Sequence, residues 1–315
     1  MAKTLYIVVP CYNEQEVMKE TAKRLCRKLA GLIEAKKIHK NSKILFVNDG
    51  STDATWEMIK IIHEELSEFF AGIDLAKNRG HQNALFAGLM VAKDRADIVI
   101  SMDADLQDDI DAVDAMVEKA NEGYDIVYGV RSGRKKDSFF KRTSAVFFYK
   151  LMRAMGVDIV FNHADYRLMN KSALHALSEF KEVNLFLRGL VPMIGLKATT
   201  VTYERGSRFA GVSKYPLRKM IKFAIEGVTS LSVKPIRMIT VIGLLSFIAS
   251  MVMLIYFIYD YFQGGTIAGW ASTIVSIWAI GGLQLLAIGI IGEYIGKIYL
   301  EVKQRPRYII REELR

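Results

Sequence analysis

Cysteine is nearly missing: Cys11 and Cys26 are the only two in 315 residues. That excludes a disulfide framework and leaves the pair as small, semi-buried residues suited to a reducing compartment. Two phosphate-binding signatures are also lacking. There is no Gly-x-Gly-x-x-Gly loop after a strand and no Walker loop, so the dinucleotide-dependent oxidoreductase and P-loop NTPase classes both fall away. Charge is absent from Ile239 to Tyr259 and again from Gly264 to Gly292. About 20 apolar residues suffice to cross a hydrocarbon layer as a helix, so both stretches read as membrane spans. No cleavable leader is expected, because Met1 to Pro10 reads as a strand. Repeats and low-complexity tracts do not occur.

What is present fits that frame. Hydrophobic residues make up 51% of the chain, and the mean hydropathy of +0.17 is high for a soluble enzyme. Lys and Arg favour the cytoplasmic side of a span. Lys234 and Arg237 precede the first run, Lys297, Lys303, Arg305 and Arg307 follow or end the second, and the connection from Asp260 to Ala271 has no basic residue. A hairpin with both termini in the cytoplasm is expected. The net charge of +9 is compatible with nucleic acid, anionic lipid or phosphorylated substrates, and beside two spans the last two take precedence over nucleic acid.

Upstream, short apolar runs alternate with segments of helical period, the pattern of a mostly parallel sheet covered by helices. Strands are expected at Leu5–Pro10, Ile44–Asn48, Ile73–Leu75, Ile98–Asp103 and Ile126–Tyr128, with helices at Glu16–Ala35, Thr55–Phe70, Asn83–Ala92 and Ile110–Asn121. Beyond Arg131 the rhythm weakens: Arg131–Arg142 is rich in basic residues and Ser207–Pro216 is a Gly, Ser and Lys loop. Leu217, Met220, Ile221, Ala224, Val228 and Leu231 then recur at helical spacing, as in a helix lying in the membrane interface. The expected organisation is therefore an α/β domain over 1–215, an interfacial helix over 216–234, two spans over 235–298 and a cytoplasmic tail over 299–315.

Ligands of such sheets bind beyond the C-terminal ends of the strands. Asp103-Ala104-Asp105-Leu106-Gln107 follows the run Ile98–Met102, and carboxylates two residues apart can hold a hard divalent cation and, through it, a diphosphate. An oxygen-only environment suits Mg²⁺ or Mn²⁺. A calcium loop of the EF-hand type is ruled out, since Asp108 stands where its glycine is needed. Asp108, Asp109 and Asp111 are expected as the acidic start of a helix. Two further polar turns follow the first and second strands, Val9-Pro10-Cys11-Tyr12-Asn13-Glu14 and Asn48-Asp49-Gly50-Ser51-Thr52-Asp53. The second is an ordinary strand-to-helix turn when taken alone, and its Asp suits a nucleobase or ribose.

These three motifs together resemble family 2 glycosyltransferases with the A-type nucleotide-sugar fold, a Rossmann-like domain. More narrowly, the chain is similar to the polyisoprenyl-phosphate glycosyltransferases, relatives of dolichyl-phosphate mannose synthase. Arg208-Phe209-Ala210-Gly211-Val212-Ser213-Lys214-Tyr215 and the C-terminal hairpin match the bacterial membrane-anchored subgroup. The resemblance implies that Pro10, Tyr12, Glu14 and Asp49 line the base and ribose pocket with Lys77 and Arg79 nearby. It implies Asp103 against donor and metal, Asp105 and Gln107 as metal ligands, and Asp165 with Arg167 at the reaction centre. Arg131, Arg167, Arg205, Ser213 and Lys214 would meet the acceptor phosphate.

The reaction implied is inverting transfer of a hexose from a nucleotide diphosphate sugar to undecaprenyl or another polyisoprenyl phosphate at the cytoplasmic leaflet. UDP-glucose is the first candidate donor, with GDP-mannose, UDP-N-acetylglucosamine and a modified pentose behind it, because no motif reads the sugar hydroxyls. An anionic membrane surface is an expected partner, and the span faces with the tail Tyr299–Arg315 suit a homo-oligomer. A processive polysaccharide synthase is disfavoured because Trp56, Trp270 and Trp278 lack a Gln-x-x-Arg-Trp context. A non-catalytic scaffold is disfavoured because Asp103, Asp105 and Gln107 are all retained.

Overall fold

Strand β1 (Leu5–Cys11) is buried along its whole length, and such continuous apolar runs require a sheet covered on both faces. The computed structural model describes residues 2–132, 150, 155, 163–183, 185–204, 206, 227–230, 232–263 and 269–315. The strands are β1, β2 (Lys43–Asn48), β3 (Phe70–Leu75), β4 (Ile98–Ser101), β5 (Ile126–Arg131), β6 (His163–Asn170), β7 (Ala198–Tyr203) and β8 (Ile310–Leu314). They form one sheet in the order β7-β5-β6-β4-β1-β2-β3-β8. β6 runs antiparallel to β4 and β5, and β8 antiparallel to β3; the other pairs are parallel.

Alternation along β1 splits the core in two. Leu5, Ile7 and Val9 pack with Met18 and Leu25 of α1 (Met18–Glu34), Trp56 and Ile59 of α2 (Thr55–Glu65), and Val113 and Met116 of α4 (Ala112–Asn121). Tyr6 and Val8 turn to the other face. There they join Ala84 and Leu85 of α3 (His81–Ala92), Leu174 of α5 (Lys171–Ser178) and Leu190 of α6 (Leu187–Met193). α3 lies so close to the sheet that a Cβ on Gly88 would collide with Val8 and Val47. The second expected helix stops earlier than its periodicity allowed, and Phe70 opens β3 instead. Phe70 stacks on Phe46 of β2, with centroids 5.8 Å apart, so tertiary packing overrides the local pattern.

Two long helices follow the sheet domain, α7 (Lys234–Phe262) and α8 (Trp270–Lys303). Among the described residues one segment, Ala279–Lys303, is long and apolar enough to cross a membrane, and only 6% of its most apolar window is buried. Of the interfacial helix expected over 216–234, residues 216–226 and 231 lie outside the described residues and 227–230 are helical, while the basic run beyond Ser132 lies outside them.

The segment read as a tail is not merely one. After α8 the chain returns to the sheet, and Ile310–Leu314 covers the outer edge of β3. Ala76 N–H donates to the Ile309 carbonyl, Trp56 Nε1 to Glu312, and the Arg307 guanidinium sits 4.6 Å from the Phe86 ring centre. Asp74 is fully buried and accepts hydrogen bonds from Asn48 Nδ2 at 2.7 Å and Arg311 Nε at 2.6 Å. A buried carboxylate stripped of a charged donor costs about 1–3 kcal/mol. Arg311→Ala is therefore expected to lower the thermal midpoint of the detergent-solubilised protein. Adding Asp74→Asn should restore part of the loss; a double variant no more stable than the single one would refute this role.

Candidate functional site

The C-terminal ends of β1, β2 and β4 carry the three polar turns. The first two interlock. Asn13, in the left-handed region at φ 54°, accepts from Thr52 N–H at 2.9 Å through its side chain. Its own N–H donates to Ser51 Oγ, and Glu14 N–H to Thr55 Oγ1, each at 3.0 Å. Gly50 has φ +60°, and a Cβ there would lie 2.6 Å from Asn78 N. Only glycine lets this turn approach the Lys77–Asn78 loop after β3 so closely.

Asp49, expected to read base or ribose, is buried and fastens a neighbouring loop. Its two carboxylate oxygens accept Arg79 N–H at 2.7 Å and Gly80 N–H at 2.9 Å. Burial pushes its pKa up against the pull of those amides. Pro10 is buried in β1, Glu14 and Arg79 are partly covered, and Lys77 is exposed. Tyr12 presents an exposed ring at 46%, the geometry a stacking base requires.

Past β4 the turn tightens, with Leu106 held at φ 55°, a costly conformation for a branched side chain. Asp105 Oδ1 accepts Gln107 N–H at 3.1 Å, closing that turn. The Asp103 side chain remains 35% exposed, and His81 at the start of α3 lies 3.7 Å from it and 3.5 Å from Asp165. Burial pushes Asp103 up against the pull of His81, and Asp165 and Asp105 add their like charges. Burial works against the His81 cation, yet Asp165 and Asp103 outweigh it and raise its pKa.

Asp165 arrives here because β6 is antiparallel: its first residues, not its last, meet the end of β4, with Ser101 opposite Arg167. Asp165 and Arg167 are two apart on one strand and so share a face. Arg167 Nη2 donates to Asp165 at 2.6 Å and Nη1 to the Leu187 carbonyl at 3.1 Å. Arg188, at the start of α6, forks onto the same carboxylate at 3.1 and 3.4 Å. Burial alone would raise the Asp165 pKa, but Arg188, His81 and Arg167 hold it well below the carboxylate range.

Placement in an acceptor-phosphate site does not suit Arg167, which is 1% exposed and enclosed behind Asp165. It positions that carboxylate instead. Arg188, which the motif reading passed over, is the cation on the open side at 30% exposure. Its signal was a single charge inside Leu185-Phe186-Leu187-Arg188-Gly189-Leu190-Val191. Asp108 is a second correction: unlike Asp109 and Asp111 it is no solvent-facing helix start. Tyr203 OH donates to its Oδ1 at 2.5 Å, Arg131 Nη2 lies 3.7 Å away, and its Oδ2 is buried without a hydrogen-bond partner among the described residues. Burial first, then the charge of Asp103, pushes its pKa up to about 6. Arg205, Ser213 and Lys214 lie outside the described residues.

Among the described residues no three His, Cys, Asp or Glu side chains are grouped to hold a metal ion. Asp103 and Asp105 still fit a cation of one kind. Mg²⁺-type ions take one or two carboxylates and complete their shell with water and substrate phosphate oxygens. The excess negative charge around Asp103 is what such an ion relieves.

A mostly parallel α/β sheet with an acidic Asp-x-Asp turn at its central strand defines an A-type sugar-nucleotide transferase fold. The glycosyl transferase family 2 model matches residues 6–178, more than half of the chain, and the protein belongs to that family. It is 54% identical over 310 residues to the glycosyltransferase YkoT of Bacillus subtilis, covering 98% of this chain and 92% of that one. It is 38% identical to the bactoprenol glucosyl transferase of Shigella phage SfII, covering 98% of both. The solved structure of mannosyl-3-phosphoglycerate synthase from Rubrobacter xylanophilus shares the fold, with a TM-score of 0.50 at 16% identity over 75% of this chain and 74% of that one.

Removing an enclosed partner of a buried carboxylate costs about 3–5 kcal/mol, whereas losing Arg188 leaves Asp165 with Arg167 and His81 and costs far less. Arg167→Ala is expected to lose folded protein. Arg188→Ala should keep its thermal midpoint and lose at least about tenfold in turnover. Equal stability losses in the two variants would show that Arg188 is structural.

Proposed function

We propose that this enzyme transfers a hexose, with UDP-glucose as the first candidate donor, to a polyisoprenyl phosphate such as undecaprenyl phosphate, with inversion at the anomeric carbon. The observation that carries this reading is the meeting of the Asp103–Asp105 turn with the Asp165, Arg167, Arg188 and His81 cluster at one edge of the sheet. The bactoprenol glucosyl transferase relatives, aligned over nearly their full length, support the choice of acceptor.

An oxygen of the acceptor phosphate attacks the anomeric carbon, the bond from that carbon to the diphosphate oxygen breaks, and the nucleoside diphosphate departs with the electron pair. The acceptor is already anionic at neutral pH, so no hydroxyl need be deprotonated. Asp165, held ionised by its cations, orients donor and neighbours rather than removing a proton. Asp103 and Asp105, with Gln107 beside them, would hold Mg²⁺ or Mn²⁺, which when bound neutralises charge on the diphosphate. Tyr12 would stack on the base, with Pro10, Glu14, Asp49, Lys77 and Arg79 around the nucleoside. Arg131, Arg188, Arg205, Ser213 and Lys214 would surround the phosphates, whose mutual repulsion is the main electrostatic obstacle.

A polyisoprenyl tail cannot leave the bilayer without exposing a large apolar surface, so the site must be brought to the headgroup plane. The proposed anchor is a two-span hairpin of α7 and α8 with the sheet domain and both termini cytoplasmic. It is preceded by the 216–234 helix lying on an anionic leaflet, and the domain boundaries are those given by the charge-free runs. The apolar residues exposed along both helices, among them Leu244, Val252, Ile255, Leu285 and Ile288, support it.

The test is purified full-length protein with undecaprenyl phosphate, a panel of radiolabelled nucleotide sugars and Mg²⁺ or Mn²⁺. Label from UDP-glucose should enter the lipid fraction, and a chelator should stop it; label with no donor would defeat the proposal. Asp105→Ala should abolish transfer in a folded, inserted protein, and near-normal turnover would remove the metal. Reversing the charge of Lys214 should raise the requirement for acceptor more than for donor, and equal effects would remove it from the acceptor site.

A further inference from the structure

Three elements converge on Asp108. Arg131 ends β5 and Tyr203 ends β7, and the parallel register sets the two directly opposite each other. Tyr203 OH accepts from Arg131 Nε at 3.4 Å and donates to Asp108 Oδ1 at 2.5 Å. The hydroxyl thus relays between guanidinium and carboxylate, and Arg131 Nη2 also faces that carboxylate directly at 3.7 Å. The Tyr203 ring is fixed edge-on against Tyr166, whose own hydroxyl donates to the Asp109 carbonyl at 2.9 Å. Three residues beyond Tyr203, Gly206 N–H donates to the Gln107 carbonyl at 2.9 Å. The turn that begins at Asp103 is thereby latched to the ends of both strands from which the basic segments depart.

Asp108 itself is 4% exposed, and among the described residues its Oδ2 has no hydrogen-bond partner. An unpartnered buried carboxylate oxygen is a stability defect that a packing residue would not need. It makes sense where the charge has a task toward a nearby cation. Asparagine would offer Tyr203 the same acceptor, so only the charge distinguishes aspartate here.

We infer that Asp108 is a positioning residue. With Tyr203 as relay it holds the Arg131 guanidinium beside the Asp103–Asp105 turn, so that the incoming acceptor phosphate is met next to the donor diphosphate. Asp108 touches neither substrate; it acts through Arg131. The inference rests on the acceptor reading given above.

The experiment uses full-length protein with UDP-glucose and undecaprenyl phosphate, together with calorimetric binding of UDP and Mn²⁺ as a donor-side measure. Asp108→Asn and Tyr203→Phe should each raise the acceptor KM about tenfold or more while leaving UDP affinity within about twofold. In an Arg131→Lys background, adding Asp108→Asn should change the acceptor KM by less than about threefold, since the group it aims has already been altered. Thermal midpoints identify any variant that has lost its fold, and Tyr203→Phe then decides alone. Parallel losses of UDP affinity, an unmoved acceptor KM, or effects that multiply in full would overturn the role. A wild-type protein that transfers to no polyisoprenyl phosphate would overturn the acceptor reading instead.

Discussion

The site is governed by the crowding of negative charge at one end of the sheet. Asp103, Asp105 and Asp108 occupy a single turn, and Asp165 approaches them from β6. Carboxylates brought together in a covered site repel each other and lose hydration, so each must find a positive partner or give up its charge. Asp165 obtains Arg167, Arg188 and His81, Asp108 obtains Tyr203 and Arg131, and Asp103 has His81 beside it and the weaker pull of Arg188. Asp103 and Asp108 are thereby left short of compensating charge, and their pKa values rise, whereas Asp165 is held ionised.

That arrangement depends on strand direction. Ligand sites of parallel sheets are built from the loops after each strand, and the first two polar turns follow that rule. β6 departs from it, because its antiparallel course delivers the start of the strand to the same edge. Asp165 and Arg167 therefore stand on a rigid strand, where an ion pair between residues two apart is held by the pleat. Arg188 and Gln82 close the cluster from helix starts, Gln82 accepting Leu187 N–H at 3.0 Å.

The return of the chain after α8 gives the sheet a second long-range closure. β8 covers the β3 edge, which would otherwise present unpaired backbone groups, and the Asp74 to Arg311 pair ties the residues after the apolar helices to the strand beside the nucleotide-side loops. The last turns of α8 are fastened on two sides, Tyr294 and Lys297 to Ser232, Thr229 and Ser230 just before α7, and Glu301 to the Val183 N–H of the sheet domain. A site that works on a lipid phosphate needs a fixed height above the bilayer, and this double tether suits it.

Much of this was legible along the chain. The apolar runs of β1, β2, β4 and β5, the three polar turns and the charge-free stretches are local patterns, and local patterns follow from residue type and period alone. β6, β7 and β8 were not legible, since His163–Asn170 and Ile310–Leu314 carry charges inside the strand and no clean alternation. The roles of Arg188 and Asp108 were likewise hidden, because each depends on a partner distant in sequence, and that of Arg167 because its enclosure depends on the distant segment at Leu187. Residue type and spacing by themselves determined that acidic pairs would stand at a strand end and that apolar helices would follow. Only the tertiary structure decided which arginine is enclosed and which faces outward, and which aspartate is satisfied. Strand register and direction set those distances, and both are fixed by packing across the whole sheet rather than by any neighbouring residue.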